Sequence, residues 1–533
     1  MNNISDLKPS LVWQYFEEIT KIPRESKHEE NIIQFMLDFA KKHNLEVKKD
    51  KVGNVLIKKS ATKGKENLKS VCFQSHLDMV CTANKDVKID FRKDPITAYI
   101  DGEWVKAKGT SLGADDGIGV AMSMAILTDK NLEHGPVECL FTIDEETGLT
   151  GAFALESGFF DSKILINLDS EEEGQIYIGC AGGIDVQASF NYLLENVPKD
   201  SISYKFVING LKGGHSGDEI HKGLGNANKI ANRFLSHIND KYQARLSEFD
   251  GGDRHNAIPR FADFSFTVKK THKKNIIKDF EKFVCDIKNE YGSLETAINI
   301  ELTEMPMPEF VMDFDTQICL TDSLYICPNG VHAMSLDIPG LVETSNNLAT
   351  VKFRDENGKL LEADIEWDEE MEEYIKSNEE IDIEEDDAEF AGYIYNEFEV
   401  PKSGRVQIGT SQRSSIESGK NDINTMVKLA FETNGADVTS GDGYPGWKPN
   451  PNSEILDIAK SAYVKLFNKE PLVKAIHAGL ECGLFLEKYQ ELDMISIGPT
   501  LQGVHSPDEK IEIATVQMWH DHIVEILKNI PKK

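Results

Sequence analysis

Six residues along this chain carry side chains that could bind a metal or move a proton: His76, Asp115, Glu145, Glu146, Asp169 and His505. Each stands at a predicted strand end or in a loop, beside small or turn-forming neighbours. Taken singly none is persuasive, because a histidine next to an aspartate is far more often an ordinary hydrogen-bonded pair than a ligand. The pair Glu145-Glu146 says more. Adjacent carboxylates usually form a solvated face, but these follow the apolar run 139–143, where repulsion and desolvation would be costly without a cation. Imidazole and carboxylate ligands suit zinc, with manganese or cobalt as alternatives. His76, Asp115, Glu146, Asp169 and His505 could together hold two such ions about 3.5 to 4 Å apart if one carboxylate bridges. Asp115 is the expected bridge. Two ions lower the pKa of a bound water, and a nearby carboxylate that is not a ligand takes its proton, which makes Glu145 the candidate base. Asp78, two residues after His76, can bond the ring nitrogen that faces away from the metal and so fix its tautomer.

The elements that must position these residues read as α/β. Amphipathic helices are predicted over 9–21 and 27–43, followed by strands across 45–59 bent at Gly53. Apolar strands at 71–74, 137–143 and 163–167 each run straight into a polar cluster, and sites in open α/β sheets lie at such strand ends. Between the first two of these strands, Leu112 to Gly119 leads into a helix predicted over 120–128, and its glycines let the backbone approach the acidic pair Asp115-Asp116. From about 186 to 440 the texture changes to longer strands (203–208, 261–269) alternating with helices (226–238, 274–289), read as an inserted second domain. The tail resumes α/β character with helices at 453–467 and 514–527 around a strand at 494–497. The expected division is therefore a discontinuous catalytic domain, 1–185 with 441–533, and an insertion over 186–440.

Composition narrows the function classes. At 533 residues the chain is too long for one compact core. A net charge of −32 disfavours nucleic acid and anionic membrane surfaces, which attract basic patches. More than half of that charge falls at 354–399, with twenty acidic residues against three basic. No apolar run is long enough to span a bilayer, and the first ten residues lack a signal-peptide pattern. Eight cysteines scattered without C-x-x-C spacing suit a reducing compartment, so a cytoplasmic location is expected.

Several segments carry a resemblance to a known family: Gln74 to Val80, Gly109 to Gly119, Asp144 to Gly148 and Ile166 to Gly174, then Gly213 to Gly217, Asn256 to Arg260, His477 to Gly483, and Gly498-Pro499 through His505 to Glu509. In these, and in their order, the sequence resembles the bacterial aminoacyl-histidine dipeptidases, also called peptidase D or beta-alanyl-histidine dipeptidases, among the co-catalytic zinc exopeptidases. The likeness covers nearly the whole chain. It implies a mixed-sheet catalytic domain with an inserted α+β lid. It further implies one zinc on His76 and Asp169 and the other on Glu146 and His505, with Asp115 bridging and Glu145 as base. His215 of the lid would reach the tetrahedral oxyanion, while Asn256, Arg413 and Gly479 would hold the C-terminal end of a small peptide. A guanidinium can grip a carboxylate through two bonds, as an exopeptidase measuring from the C-terminus needs. A homodimer is compatible with the same resemblance.

Two features depart from the family pattern. Asp116 stands where Asn is expected, and the acidic stretch near 354–399 looks like an insertion. The leading expectation is metal-dependent hydrolysis of Xaa-His and related unblocked dipeptides. Two other readings stay open: an N-acyl-amino-acid amidohydrolase of related fold, and a catalytically silent protein whose acidic insert binds a basic partner or cations.

Overall fold

The computed structural model describes residues 3–355, 357–362, 402–477 and 479–533. The acidic stretch expected as an insertion therefore lies mostly outside the described residues. It interrupts the chain between the strands Val342–Lys352 and Ser403–Ser414, which pair antiparallel.

Among the described residues, one sheet has eight strands in the order Glu46–Lys49, Val55–Lys59, Val137–Thr142, Val71–His76, Ile164–Asn167, Asp493–Ser496, Gln175–Cys180, Leu472–Ile476. The strands Val137–Thr142, Val71–His76, Ile164–Asn167 and Asp493–Ser496 run parallel to one another. The first three are buried along their whole length, as a parallel sheet covered on both faces requires. Alternation along the strand divides the cores. Val71 and Phe73 face one cluster, shared with the helices Ser10–Ile19, Ala114–Thr128 and Ile513–Lys528, while Cys72 faces a second with Leu140, Leu165 and Phe485. Because the strands are parallel, their C-terminal ends lie side by side. His76 ends one, Glu145 and Glu146 follow the next, and Asp169 follows the third.

The second sheet has ten described strands, antiparallel throughout, from residues 182–440. One face of it packs on the helices Ala227–Tyr242 and Lys273–Tyr291 through Phe206, Phe234, Phe264, Phe280 and Phe283, with ring centroids of Phe206 and Phe264 4.8 Å apart. Burying each such ring contributes roughly 1.5–3 kcal/mol. The chain passes between the sheets twice, and the crossings are pinned to each other by the bridges Cys180–Trp447 and Gly183–Tyr444.

The elements depart from expectation mainly at the site. The helix expected over 120–128 begins six residues earlier, Ala114–Thr128, with Asp115 and Asp116 in non-helical conformations inside it. A small four-stranded sheet of Ala98–Asp101, Trp104–Ala107, Leu501–Gln502 and Lys510–Glu512 brings the His505 loop to the first sheet. Among the described residues no helix is long and apolar enough to cross a membrane.

Candidate active site

The strand ends converge on Asp115. His76 Nε2 lies 3.1 Å from Asp115 Oδ1 and 3.4 Å from Asp169 Oδ1. On the other side of the same carboxylate, His505 Nε2 lies 3.0 Å from Asp115 Oδ2 and 2.9 Å from Glu146 Oε2. These make two triads, His76–Asp115–Asp169 and Asp115–Glu146–His505, each with its ligand atoms within 4.8 Å of one another and with Asp115 common to both. His76, Glu145 and Glu146 form a third such group. All five expected ligands and the expected base are thus brought together.

Charge in this cluster is unbalanced. Burial opposes protonation of His76, but Asp169, Asp115 and Asp78 around it hold its imidazole well above the ordinary range. His505 is raised to about 11 by its bonds to Asp115 and Glu146. Asp115, though buried, is held well below the carboxylate range by His505 and His76, whereas burial and neighbouring carboxylates push Glu145 and Asp169 well up. Glu146 Oε1 is buried with no hydrogen-bond partner. An orphaned carboxylate oxygen in a set of imidazoles and carboxylates is what a divalent cation satisfies, so the residues present fit a metal centre.

Several residues outside the cluster hold it in place. Asp78 accepts from the backbone N–H of Glu145 (3.0 Å) and Glu146 (3.2 Å) and from Ser26 Oγ (2.8 Å), and its Oδ1 lies 3.3 Å from His76 Nδ1. It therefore orients base and ligand at once. The buried Arg24 donates to the carbonyls of Leu77 (3.1 Å), Asp78 (2.7 Å) and Gly113, tying the His76 strand end to the turn before Asp115. Glu509 caps that turn. Its carboxylate accepts from the backbone N–H of Leu112 (2.7 Å), Gly113 (3.0 Å), Ala114 (2.7 Å) and Asp115 (3.3 Å). Gly113 has φ +68 there, and a Cβ would meet Arg24 at 2.5 Å, so only glycine fits. Asp116, the departure from the family pattern, accepts from the backbone N–H of His76 (3.3 Å) and Gly119 (3.1 Å). Burial and the neighbouring Asp115 push its carboxyl above the usual range.

A buried polar row crosses beneath these strand ends. Glu481 Oε2 accepts from Gln74 Nε2 (2.6 Å) and Thr142 Oγ1 (2.8 Å), and Gln74 Oε1 accepts from Asn167 Nδ2 (2.6 Å). Burial pushes the Glu481 carboxyl up to about 7. A further acidic group, Glu29–Asp78–Asp144, lies close by. Its oxygens already receive N–H and O–H donors from Lys27, Asp144, Ser26, Thr147 and Thr150, so it reads as a satisfied support.

The residues expected to grip substrate form a second group. His215 pairs with Ala257 across a two-strand ladder, the Ser216 N–H donates to the Asn256 carbonyl (2.9 Å), and His215 Nδ1 accepts from the Asp218 N–H (3.2 Å). Arg413 donates to Tyr444 Oη (3.1 Å), and a Cβ on Gly479 would meet the Tyr444 ring at 2.9 Å. Tyr444 thus links Arg413 of the antiparallel sheet to Gly479. Among the described residues no hydrogen bond or ion pair joins this group directly to the acidic cluster. Sequence reasoning assigned no role to Arg24, Tyr444, Glu481 or Glu509. The last two fall inside segments that carried the resemblance, while nothing near Arg24 or Tyr444 singled them out.

With this geometry in hand, comparisons with known proteins are consistent with one another. The model of peptidase family M20/M25/M40 matches residues 72–529. The chain is 40% identical over 534 residues to the cytosol non-specific dipeptidase of Escherichia coli K12, covering 100% of both chains. It superposes on the crystal structure of an aminoacylhistidine dipeptidase from Vibrio alginolyticus with a TM-score of 0.86 and 41% identity, over 100% of this chain and 99% of that one. Aminopeptidase PepT from Bacillus cereus shares the fold at 17% identity, with a TM-score of 0.58 over 98% of this chain and 99% of that one.

Proposed function

The chain belongs to peptidase family M20/M25/M40, and from that premise we propose that it is a metal-dependent dipeptidase acting on unblocked dipeptides, Xaa-His among them. The observation that carries the metal chemistry is the pair of triads sharing Asp115. His76 and Asp169 would hold one divalent ion and Glu146 and His505 the other, with Asp115 common to both sets. Zinc suits this ligand set, with manganese and cobalt as alternatives. When bound, such ions supply Lewis-acid activation of water and of the scissile carbonyl.

The chain's own groups do the rest. Glu145 takes the proton of the attacking water on its carboxylate and delivers it to the leaving amine. Its carboxylate shares one group of ligand-type atoms with His76 and Glu146, which supports its place beside the attacking water. Asp78 keeps His76 and the Glu145 backbone in register. His215 donates to the oxyanion, and Arg413, Asn256 and Gly479 bind the substrate's terminal carboxylate. Arg413 is 8% exposed and held by Tyr444, so its fork is preoriented and largely desolvated, where a charge-assisted pair is strong.

Residues 186–440 act as a lid over a catalytic unit of 1–185 and 441–533. The paired crossings at Cys180–Trp447 and Gly183–Tyr444 support a hinge there. All eight cysteines are free, which supports a cytoplasmic location, and a homodimer accords with the family. The test is hydrolysis of free and N-acetylated dipeptides, beta-alanyl-histidine included, before and after chelation and after return of zinc, manganese or cobalt. Cleavage of the free dipeptides alone, lost on chelation and restored by metal, is the expected result. Preference for the acetylated series would make the protein an amidohydrolase instead, and bound metal without any turnover would leave only a binding role.

A further inference from the structure

Arg413 is 8% exposed, yet among the described residues no carboxylate forms an ion pair with its guanidinium, and its Nε is buried with no hydrogen-bond partner. The nearby Asp218 turns its carboxylate to His215 Nδ1 instead (3.5 Å). A buried charge without a counter-ion is costly, so a fold that keeps one marks the place of an anion supplied from outside. The group that shapes this place is Tyr444.

Tyr444 is fixed at the crossing between the two units. Its N–H donates to the Gly183 carbonyl (2.9 Å), and its own carbonyl accepts from the Gly183 N–H (3.1 Å) and from Nζ of the buried Lys420 (2.7 Å). Gly183 lies in the strand Gly182–Asn196, directly across the ladder from Arg413, so the two share one face of the sheet. On that face a Cβ at Gly183 would stand 2.8 Å from Cζ and Oη of Tyr444, and a Cβ at Gly479 would stand 2.9 Å from the other edge of the ring. The missing side chains leave the slot that the ring fills, and its hydroxyl thereby reaches Arg413. Arg413 Nη1 donates to Tyr444 Oη (3.1 Å), which leaves the phenol's own hydrogen to be placed. Among the described residues no other group is bonded to Tyr444 Oη. Burial raises the phenol above its ordinary range, so it remains a donor at neutral pH. Two donors, one charged and one neutral, stand side by side without an acceptor.

We propose that Tyr444 is a substrate-binding residue whose hydroxyl donates to the substrate's C-terminal carboxylate beside Arg413, so that this end of the site accepts a free carboxylate and disfavours an amide. The proposal rests on the dipeptidase reading above. A carboxylate is all acceptor and takes a guanidinium and a phenol at once, whereas an amide offers one oxygen and turns an NH2 donor toward one of the two. The charged acceptor also makes the stronger bond.

The experiment measures kcat/KM of the full-length, metal-loaded protein on Ala-Leu and on its C-terminal amide, for the wild type, Tyr444→Phe, Arg413→Lys and the double variant. Phenylalanine keeps the ring between Gly183 and Gly479 and removes only the hydroxyl. Tyr444→Phe should lose roughly 10- to 100-fold on Ala-Leu, carried mainly by KM because the bond forms on binding and persists through the reaction. The amide, which makes only a neutral bond there, should lose less than about tenfold. Added to Arg413→Lys, the same change should still cost about fivefold or more on Ala-Leu, since the hydroxyl meets the carboxylate itself. Equal losses on acid and amide, or a Tyr444→Phe rate within about twofold of wild type on Ala-Leu, would overturn the proposal while leaving the dipeptidase reading intact. So would a double variant no worse than Arg413→Lys, which would make Tyr444 only a support for the arginine. A wild type that fails to cleave Ala-Leu overturns the dipeptidase reading and the proposal with it.

Discussion

Glu509 offers a direct test of how the Asp115 turn is held. Its carboxylate accepts four backbone N–H groups from residues 112–115, and it is 2% exposed. In Glu509→Ala those four donors lose their acceptor in a buried place. Charge-assisted bonds contribute about 1.5–3 kcal/mol each, but such losses are not additive and water partly fills the space, so a net cost of roughly 3–5 kcal/mol is expected. The cost falls on the turn that presents Asp115 to both imidazoles, so metal affinity should drop by about 10- to 100-fold as well. Amide hydrogen exchange on peptides spanning 108–118 reads the first effect. A local cost of about 3 kcal/mol corresponds to exchange faster by roughly two orders of magnitude. Metal titration of the chelated protein reads the second. Glu509→Gln keeps one acceptor oxygen and turns an NH2 toward the other two donors, so it should fall between. Unchanged exchange at 112–115 together with unchanged metal affinity in Glu509→Ala would refute the reasoning, because no other side chain accepts from the Leu112, Gly113 or Ala114 N–H groups among the described residues.

Two further predictions concern the carboxylates of the site. Glu145→Gln should retain both metals but lose about 10²–10⁴ in kcat, checked by metal analysis beside steady-state kinetics, and near-normal turnover would remove Glu145 from the role of base. For Glu481, burial raises the folded carboxyl from its ordinary 4.5 to about 7. The folded state therefore binds this proton more tightly than the unfolded chain, so the contribution is complete below about pH 4.5 and is lost as pH rises through about 7. Its size is about 3 kcal/mol for this fully buried group. Glu481→Gln lacks this loss, and its urea midpoint should overtake that of the wild type above pH 7; parallel midpoints from pH 5 to 8 would show that Glu481 does not titrate in this range.

The chemistry of the site was legible in the sequence because it rests on residue types placed at the ends of apolar strands. His76, Glu145-Glu146 and Asp169 follow buried runs, and parallel pairing of those runs brings any such ends to one edge of the sheet. Asp115 and His505 sit in glycine-flanked turns that composition also marks. What the sequence by itself determined, then, was the α/β class and the membership of the acidic cluster, with Glu145 as the candidate for its base. Which atoms face each other was settled only by the tertiary structure. The support of the Asp115 turn by Glu509, 394 residues further on, the clasp of Arg24 on the carbonyls of Leu77, Asp78 and Gly113, and the link from Arg413 through Tyr444 to Gly479 all join residues distant in sequence. Such contacts leave no local periodicity or composition to read, because an orphan N–H or a buried guanidinium is satisfied by whatever group the fold brings within about 3 Å. Even the start of the helix at Ala114 was decided this way: the local pattern marks the apolar face from Val120 onward, while the turn ahead of it takes its shape from a carboxylate contributed by the far end of the chain.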